Sequence, residues 1–126
     1  METPKNSPDR KEPSVELDQL AHKVIGAAIT VHRALGPGYV ESVYEEAICV
    51  ELDFQTVPYQ RQYKVAVQYR GRLIGEGRLD LLVAKILPVE LKAVETLAPI
   101  HQAQLLSYLK MTGFQVGLLS TSMCPS

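Results

Sequence analysis

The sequence predicts an α/β domain with a mixed central sheet of about four strands flanked by helices, in the order α-α-β-β-β-α-β. Three observations carry this. Apolar residues recur at helical spacing through two successive segments of the first half. Apolar and polar residues then alternate through three segments parted by short turns, and a further helical segment leads into a last apolar run. At 126 residues the chain is one domain, large enough to bury a core without disulfides.

Residues 1–13, rich in proline and charge, read as a disordered lead-in to a single domain over 14–120, with a short tail over 121–126. The first helix starts after Ser14, the candidate N-cap, with Glu16 and Asp18 near the positive end of its dipole. Leu17, Leu20, Ala21, Val24, Ile25, Ala28, Val31, His32 and Leu35 make its apolar stripe, and Gly36-Pro37-Gly38 ends it. His32 reads as a core or interface residue and His22 as a surface one. A second helix over 39–54 carries Val40, Val43, Tyr44, Ala47, Ile48, Val50 and Phe54 on one face. Glu41 lies at the edge of that face and Glu51 near its middle, an unusual place for a charge.

Tyr63, Val65, Val67 and Tyr69 alternate with polar neighbours, and Arg70-Gly71-Arg72 turns the chain into a strand over 73–83. Ala84, Lys85 and Ile86 form the next loop and 87–93 the third strand, so Val83 faces Leu87. Pro99 fits the first turn of a third helix that runs to Thr112 and is closed by Gly113. Its apolar seam is Ile100, Ala103, Leu106 and Leu109. A buried strand over 114–119 follows and joins the same sheet.

The formal net charge is −1, which argues against a strongly basic nucleic-acid binder, but its distribution is uneven. Residues 1–54 hold five Lys/Arg against ten Asp/Glu, and residues 55–126 hold eight against four. No apolar stretch reaches a bilayer span, and residues 1–14 are too polar for a signal sequence. The two cysteines, Cys49 and Cys124, lie in unrelated contexts and read as reduced thiols of a cytoplasmic protein.

The register of the second hairpin places Asp80 opposite Glu90. Side chains alternate along a strand, so Glu90 and Lys92 share one face while Val89, Leu91 and Ala93 take the other. Two carboxylates and a lysine converging beside an apolar core suit a divalent cation held against a phosphodiester. The same trio also makes sense as a cross-strand salt-bridge cluster on a solvated face.

This order of elements, with Asp80 and Glu90-Leu91-Lys92 on the second and third strands, resembles the PD-(D/E)XK nuclease superfamily. Gly38-Tyr39-Val40-Glu41-Ser42-Val43-Tyr44 fits the GxxExxY signature of one family within it. The segments 24–38, 90–94 and 101–109 also look like blocks of that family, so the resemblance spans about 15–120. It implies a restriction-endonuclease-like core and a nuclease that cuts DNA, with RNA as an alternative, using a metal-activated water. Asp80, Glu90 and the Leu91 carbonyl would hold Mg²⁺ or Mn²⁺, hard cations that prefer oxygen. Lys92 would hold or deprotonate the water and balance charge. Glu41 would add a carboxylate from the helix before the sheet, with Glu45 and Glu51 as alternatives.

Gln104 and Tyr108, one turn apart on one helix face, resemble the Q-x-x-x-Y pair of RecB-like nucleases, which steadies the site; packing at a helix edge is the other reading of Tyr108. Arg78, Arg61 and His101 are candidate nucleic-acid contacts, as are Lys64, Arg70 and Arg72. The chain departs from the family in lacking glycine at Ala84-Lys85-Ile86, in placing Pro88 inside the third strand, and in its shortened end. A non-catalytic module that binds nucleic acid or a protein is the second functional reading. The amphipathic first helix is a candidate homodimer surface under either.

Overall fold

The computed structural model describes residues 15–92, 98–114 and 117–121. The expected N-cap Ser14, the lead-in, the tail beyond 121, Cys124 and the residues from Ala93 to 97 lie outside them. The first helix, α1 (Val15–Leu35), ends where Gly36 takes a φ of +70° and donates its N–H to the His32 carbonyl, a left-handed helix stop that glycine adopts without a Cβ clash. Its buried residues are Leu17, Leu20, Val24, Ala27 and Val31, spaced alternately three and four apart. This seam is narrower than the sequence stripe: Ile25 is exposed and Ala27 takes its place.

The second helix, α2 (Glu41–Phe54), also presents a different face from the expected one. Tyr44, Glu45, Ile48, Cys49 and Leu52 are buried, whereas Val43, Val50 and Phe54 are exposed. Apolar residues surround much of this helix, so periodicity alone leaves its rotation open. Tyr44 decides it. Its hydroxyl donates to the Gly36 carbonyl and accepts the Tyr39 N–H at 3.3 Å, tying α2 to the linker that follows α1.

Three antiparallel strands follow: β1 (Tyr59–Tyr69), β2 (Arg72–Val83) and β3 (Leu87–Lys92). Val83 pairs with Leu87 across Ala84-Lys85-Ile86. With no glycine there, Ala84 and Lys85 themselves take φ values of 51° and 66°. After helix α3 (Pro99–Thr112), a strand β4 (Leu118–Thr121) lies parallel to β3, giving the sheet order β1-β2-β3-β4. A parallel neighbour requires a long crossover, which α3 supplies. Pro88 fits this sheet because β4 pairs only from Val89 onward, so the proline precedes the doubly paired part of its strand. No helix among the described residues is long and apolar enough to cross a membrane.

Two clusters form the core. Helices α1 and α2 pack with Val57, Leu81, Val83, Leu87, Val89 and Leu91. Helix α3 covers a smaller group: Leu105 with Val65 and Leu79, flanked by Tyr63, Tyr108 and Leu109. The expected α3 seam is therefore corrected, since Ile100 and Leu106 are exposed and Leu105 is buried. The reason lies in β2. A Cβ at Gly77 would come within 2.5 Å of the Tyr108 ring, so the missing side chain is the slot that seats Tyr108 and sets the rotation of α3.

Gly77→Ala is expected to destabilise the protein by about 1–3 kcal/mol through overpacking. In a Tyr108→Ala background the same change should cost much less, as read by urea unfolding of the four proteins in a double-mutant cycle. An equal cost in both backgrounds would remove Tyr108 as the occupant of the slot.

Candidate functional site

The antiparallel ladder between β2 and β3 runs from Val83–Leu87 through Leu82–Pro88 to Leu81–Val89 and stops. The next two residues in register are Asp80 and Glu90. Here side chains replace the ladder: the Asp80 N–H donates to Glu90 Oε1 at 3.0 Å, and the Leu91 N–H donates to Asp80 Oδ2 at 2.6 Å. Each carboxylate thus takes a main-chain N–H from the strand opposite. The two acidic groups are held together by backbone donors whose positions the sheet dictates.

The other edge of β2 is broken at the same place. Arg61 pairs with Leu81 and Tyr63 with Leu79, but Gln62, which lies between them, does not pair with Asp80 and has a φ of 54°. A left-handed residue in mid-strand turns its peptide out of the ladder. The two core clusters divide here as well. Leu79 packs with α3 and Leu81 with α1 and α2, although a regular strand would direct both to one face.

Beside this break opens a cleft of about 580 Å³ lined by Val40, Glu41, Ser42, Glu45, Gln62 and Asp80. Its α2 wall contains a buried charge. Glu45 accepts from Arg61 Nε at 2.8 Å and from the Gln62 side-chain amide at 2.9 Å, while Arg61 Nη1 reaches Glu46 at 2.8 Å. Gln62 therefore links the α2 carboxylate to the position facing Asp80. Sequence reasoning singled out Glu51 as the oddly buried charge; Glu51 is only half-buried and Glu45 takes that role, because Tyr44 rotates the helix. Gln62 was not anticipated at all. Its positive φ has no signature in residue type, whereas Glu45 was detectable as the carboxylate one turn beyond Glu41.

Glu90 is 3% exposed, and its carboxyl is pushed up to about 7. Burial is the largest cause and the neighbouring Asp80 charge the next; Lys92 pulls in the opposite direction. Lys92, two residues along the same strand, is half-buried. The Leu91 side chain points into the core while its N–H serves Asp80.

The remaining expected residues fall elsewhere. Glu41 is exposed on the cleft wall. Gln104 donates to the Tyr108 hydroxyl at 3.2 Å, and neither residue lines the cleft. Arg61 is engaged by two glutamates rather than presented to solvent as a free guanidinium. His101 Nδ1 accepts the Ala98 N–H at 3.0 Å, so its ring caps α3. Arg78 is exposed on β2, two residues before Asp80. Burial pushes the Cys49 thiol up to about 11, the reverse of what a nucleophile needs.

The donor set suits a hard cation. Two carboxylates held side by side with their charges in conflict are a suitable oxygen donor set, and Mg²⁺ is commonly bound by one or two carboxylates with waters completing its shell. Among the described residues no group of three His, Cys, Asp or Glu could hold a metal ion, and Asp80 and Glu90 stand together as two. Comparison with known families places the chain: it belongs to the PD-(D/E)XK nuclease superfamily, whose family model matches residues 18–121. No curated protein and no solved structure matches it.

Because the Glu90 carboxyl titrates higher in the folded protein than its ordinary 4.5, the native state retains a proton that the unfolded chain releases between about pH 4.5 and 7. Stability from this group is thus full below that window and lost as pH rises through it. Glu90→Gln removes the titration but keeps an acceptor for the Asp80 N–H. In EDTA, the variant should gain stability relative to wild type as pH rises from 4.5 to 7, measured by urea midpoints. Parallel profiles would show that Glu90 is not perturbed in this way.

Proposed function

We propose that the protein is a metal-dependent nuclease that hydrolyses phosphodiester bonds in DNA, with Asp80 and Glu90 holding Mg²⁺ or Mn²⁺. The observation that carries this reading is the exchange of main-chain donors between half-buried Asp80 and buried Glu90, which fixes two mutually repelling carboxylates at a break in the sheet. When bound, the cation would polarise the phosphate and make a water more acidic. The Leu91 carbonyl, between the two ends of the Glu90-Leu91-Lys92 motif, would be a further oxygen ligand.

Lys92 lies on the face of Glu90, close enough to influence its protonation, and would hold or deprotonate the attacking water. It would also neutralise charge developing on the phosphate. Glu41 serves through water from the cleft wall. Glu45 is a positioning residue, since each of its oxygens already accepts a hydrogen bond. Tyr108, seated over Gly77, and Gln104 steady α3 against the strand that carries Asp80.

The same reading assigns residues 38–44 to the GxxExxY pattern and gives its letters physical roles. Gly38 has a φ of +112°, Glu41 faces the cleft, and Tyr44 locks α2 to the preceding linker. The four-stranded mixed sheet is then the restriction-endonuclease-like core, and the protein is cytoplasmic.

Plasmid and oligonucleotide substrates titrated with Mg²⁺ and Mn²⁺ provide the test. Asp80→Asn, Glu90→Gln and Lys92→Ala should each lower the cleavage rate by about 10²–10⁴. Calorimetric Mn²⁺ affinity should fall for the two carboxylate variants, and EDTA should abolish cleavage. Undiminished cleavage by all three variants would refute the assignment. Metal binding without cleavage on any substrate would favour a non-catalytic binding module.

A further inference from the structure

We infer that the distal part of the β1–β2 hairpin is an arm that grips double-stranded nucleic acid, delivering it to the Asp80–Glu90 cleft; the inference deepens the nuclease reading and rests on it for the identity of the partner. The hairpin outruns the sheet. Among the described residues β3 pairs with β2 only over Leu81 to Val83, so the strand from Leu79 back to Arg72 has β1 as its sole described ladder partner. At about 3.3 Å per residue this is an extension of roughly 25 Å. Helix α3 supports its base, through Leu79, Val65 and the Tyr108–Gly77 contact. The tip beyond belongs to neither core cluster.

Charge identifies the occupant. Lys64 and Arg78 are direct cross-strand partners, both exposed, and Arg70 and Arg72 flank the turn. Like charges placed opposite each other destabilise a hairpin. None of these four cations forms an ion pair among the described residues, in contrast to Arg61, which is held by Glu45 and Glu46. Glu76 is the only acid between Gln62 and Leu79. A polyanion relieves this repulsion. A second copy of the chain would aggravate it, because its own arm bears the same cations.

Shape favours a duplex. A two-stranded ribbon fits the major groove of B-form DNA, which is about 12 Å wide. The tip also exposes apolar surface where a groove would meet it. Val67 pairs with Gly75 and Gln68 with Leu73, leaving Ile74 as an unpaired bulge residue. Tyr69, Leu73 and Ile74 are 63%, 68% and 64% exposed. The phosphate contacts therefore come from Arg70, Arg72, Lys64 and Arg78, with the apolar tip resting against the groove floor.

Fluorescence anisotropy of a labelled DNA duplex in EDTA, where no cutting occurs, tests the arm apart from the chemistry. Arg70→Glu/Arg72→Glu should weaken duplex binding by at least about tenfold near 0.1 M salt and reduce the slope of log K against log salt by about two. Its thermal midpoint should match wild type, and Arg70→Gln/Arg72→Gln should show a smaller loss in the same direction. Equal affinity and slope for wild type and variant, no duplex binding by wild type, or equally tight binding of a single strand would each overturn the inference. So would a dimer that Leu73→Ser/Ile74→Ser converts to monomer without changing duplex affinity. Arm-dependent binding by a wild-type protein that never cuts in Mg²⁺ would sink the nuclease reading alone. Asp80-dependent cutting indifferent to the arginine changes would sink the arm alone.

Discussion

The reciprocal capture of main-chain N–H groups by Asp80 and Glu90 is the constraint around which this structure is organised. An antiparallel ladder that continued past Leu81–Val89 would satisfy its donors with carbonyls and leave the two acids to solvent. Here the carboxylates substitute for the ladder. The substitution costs regular pairing and places like charges together, so the surrounding fold must hold the arrangement. Fully buried Leu79, Leu81 and Val89 do so from either side of the break. Burial of apolar side chains of this size contributes about 1.5–3 kcal/mol each, which is ample to secure a local irregularity.

The break in β2 has a second consequence. At Asp80 the strand passes from the cluster under α3 to the cluster under α1 and α2, and Gln62 leaves the ladder on the opposite edge. The cleft opens where neither helix layer covers the sheet completely. Gln62 then connects its walls, since its side chain bonds Glu45 on α2 while its backbone lies across from Asp80. Electrostatics follows from this arrangement. Glu45 is buried and doubly hydrogen-bonded, and Glu90 is buried beside another acid, which pushes its carboxyl above the ordinary range.

Two tyrosines set how the helices meet the sheet. Tyr44 binds the linker after α1 and turns Glu45 inward; Tyr108 occupies the space above Gly77 and turns Leu105 inward. In both helices apolar residues are spread too widely for periodicity to single out a face. One polar contact or one missing Cβ then decides among rotations of comparable hydrophobic value. This is why the expected seams through Val43, Val50 and Phe54, and through Ile100 and Leu106, proved to be exposed.

By itself the sequence determined the elements and the facing of Asp80 and Glu90. Pro99 and Gly113 bound α3, Gly36 stops α1, and three residues between Val83 and Leu87 dictate a register that brings the acids opposite each other, all through local backbone rules. The roles of Arg61, Glu45 and Gln62 were decided only by tertiary structure. An arginine paired with glutamates 15 and 16 residues away, or a glutamine with a positive φ, depends on how helices and strands are juxtaposed. Residue type and spacing encode which groups can meet; packing selects which do, because helix rotation and sheet breaks arise from contacts distant in the chain.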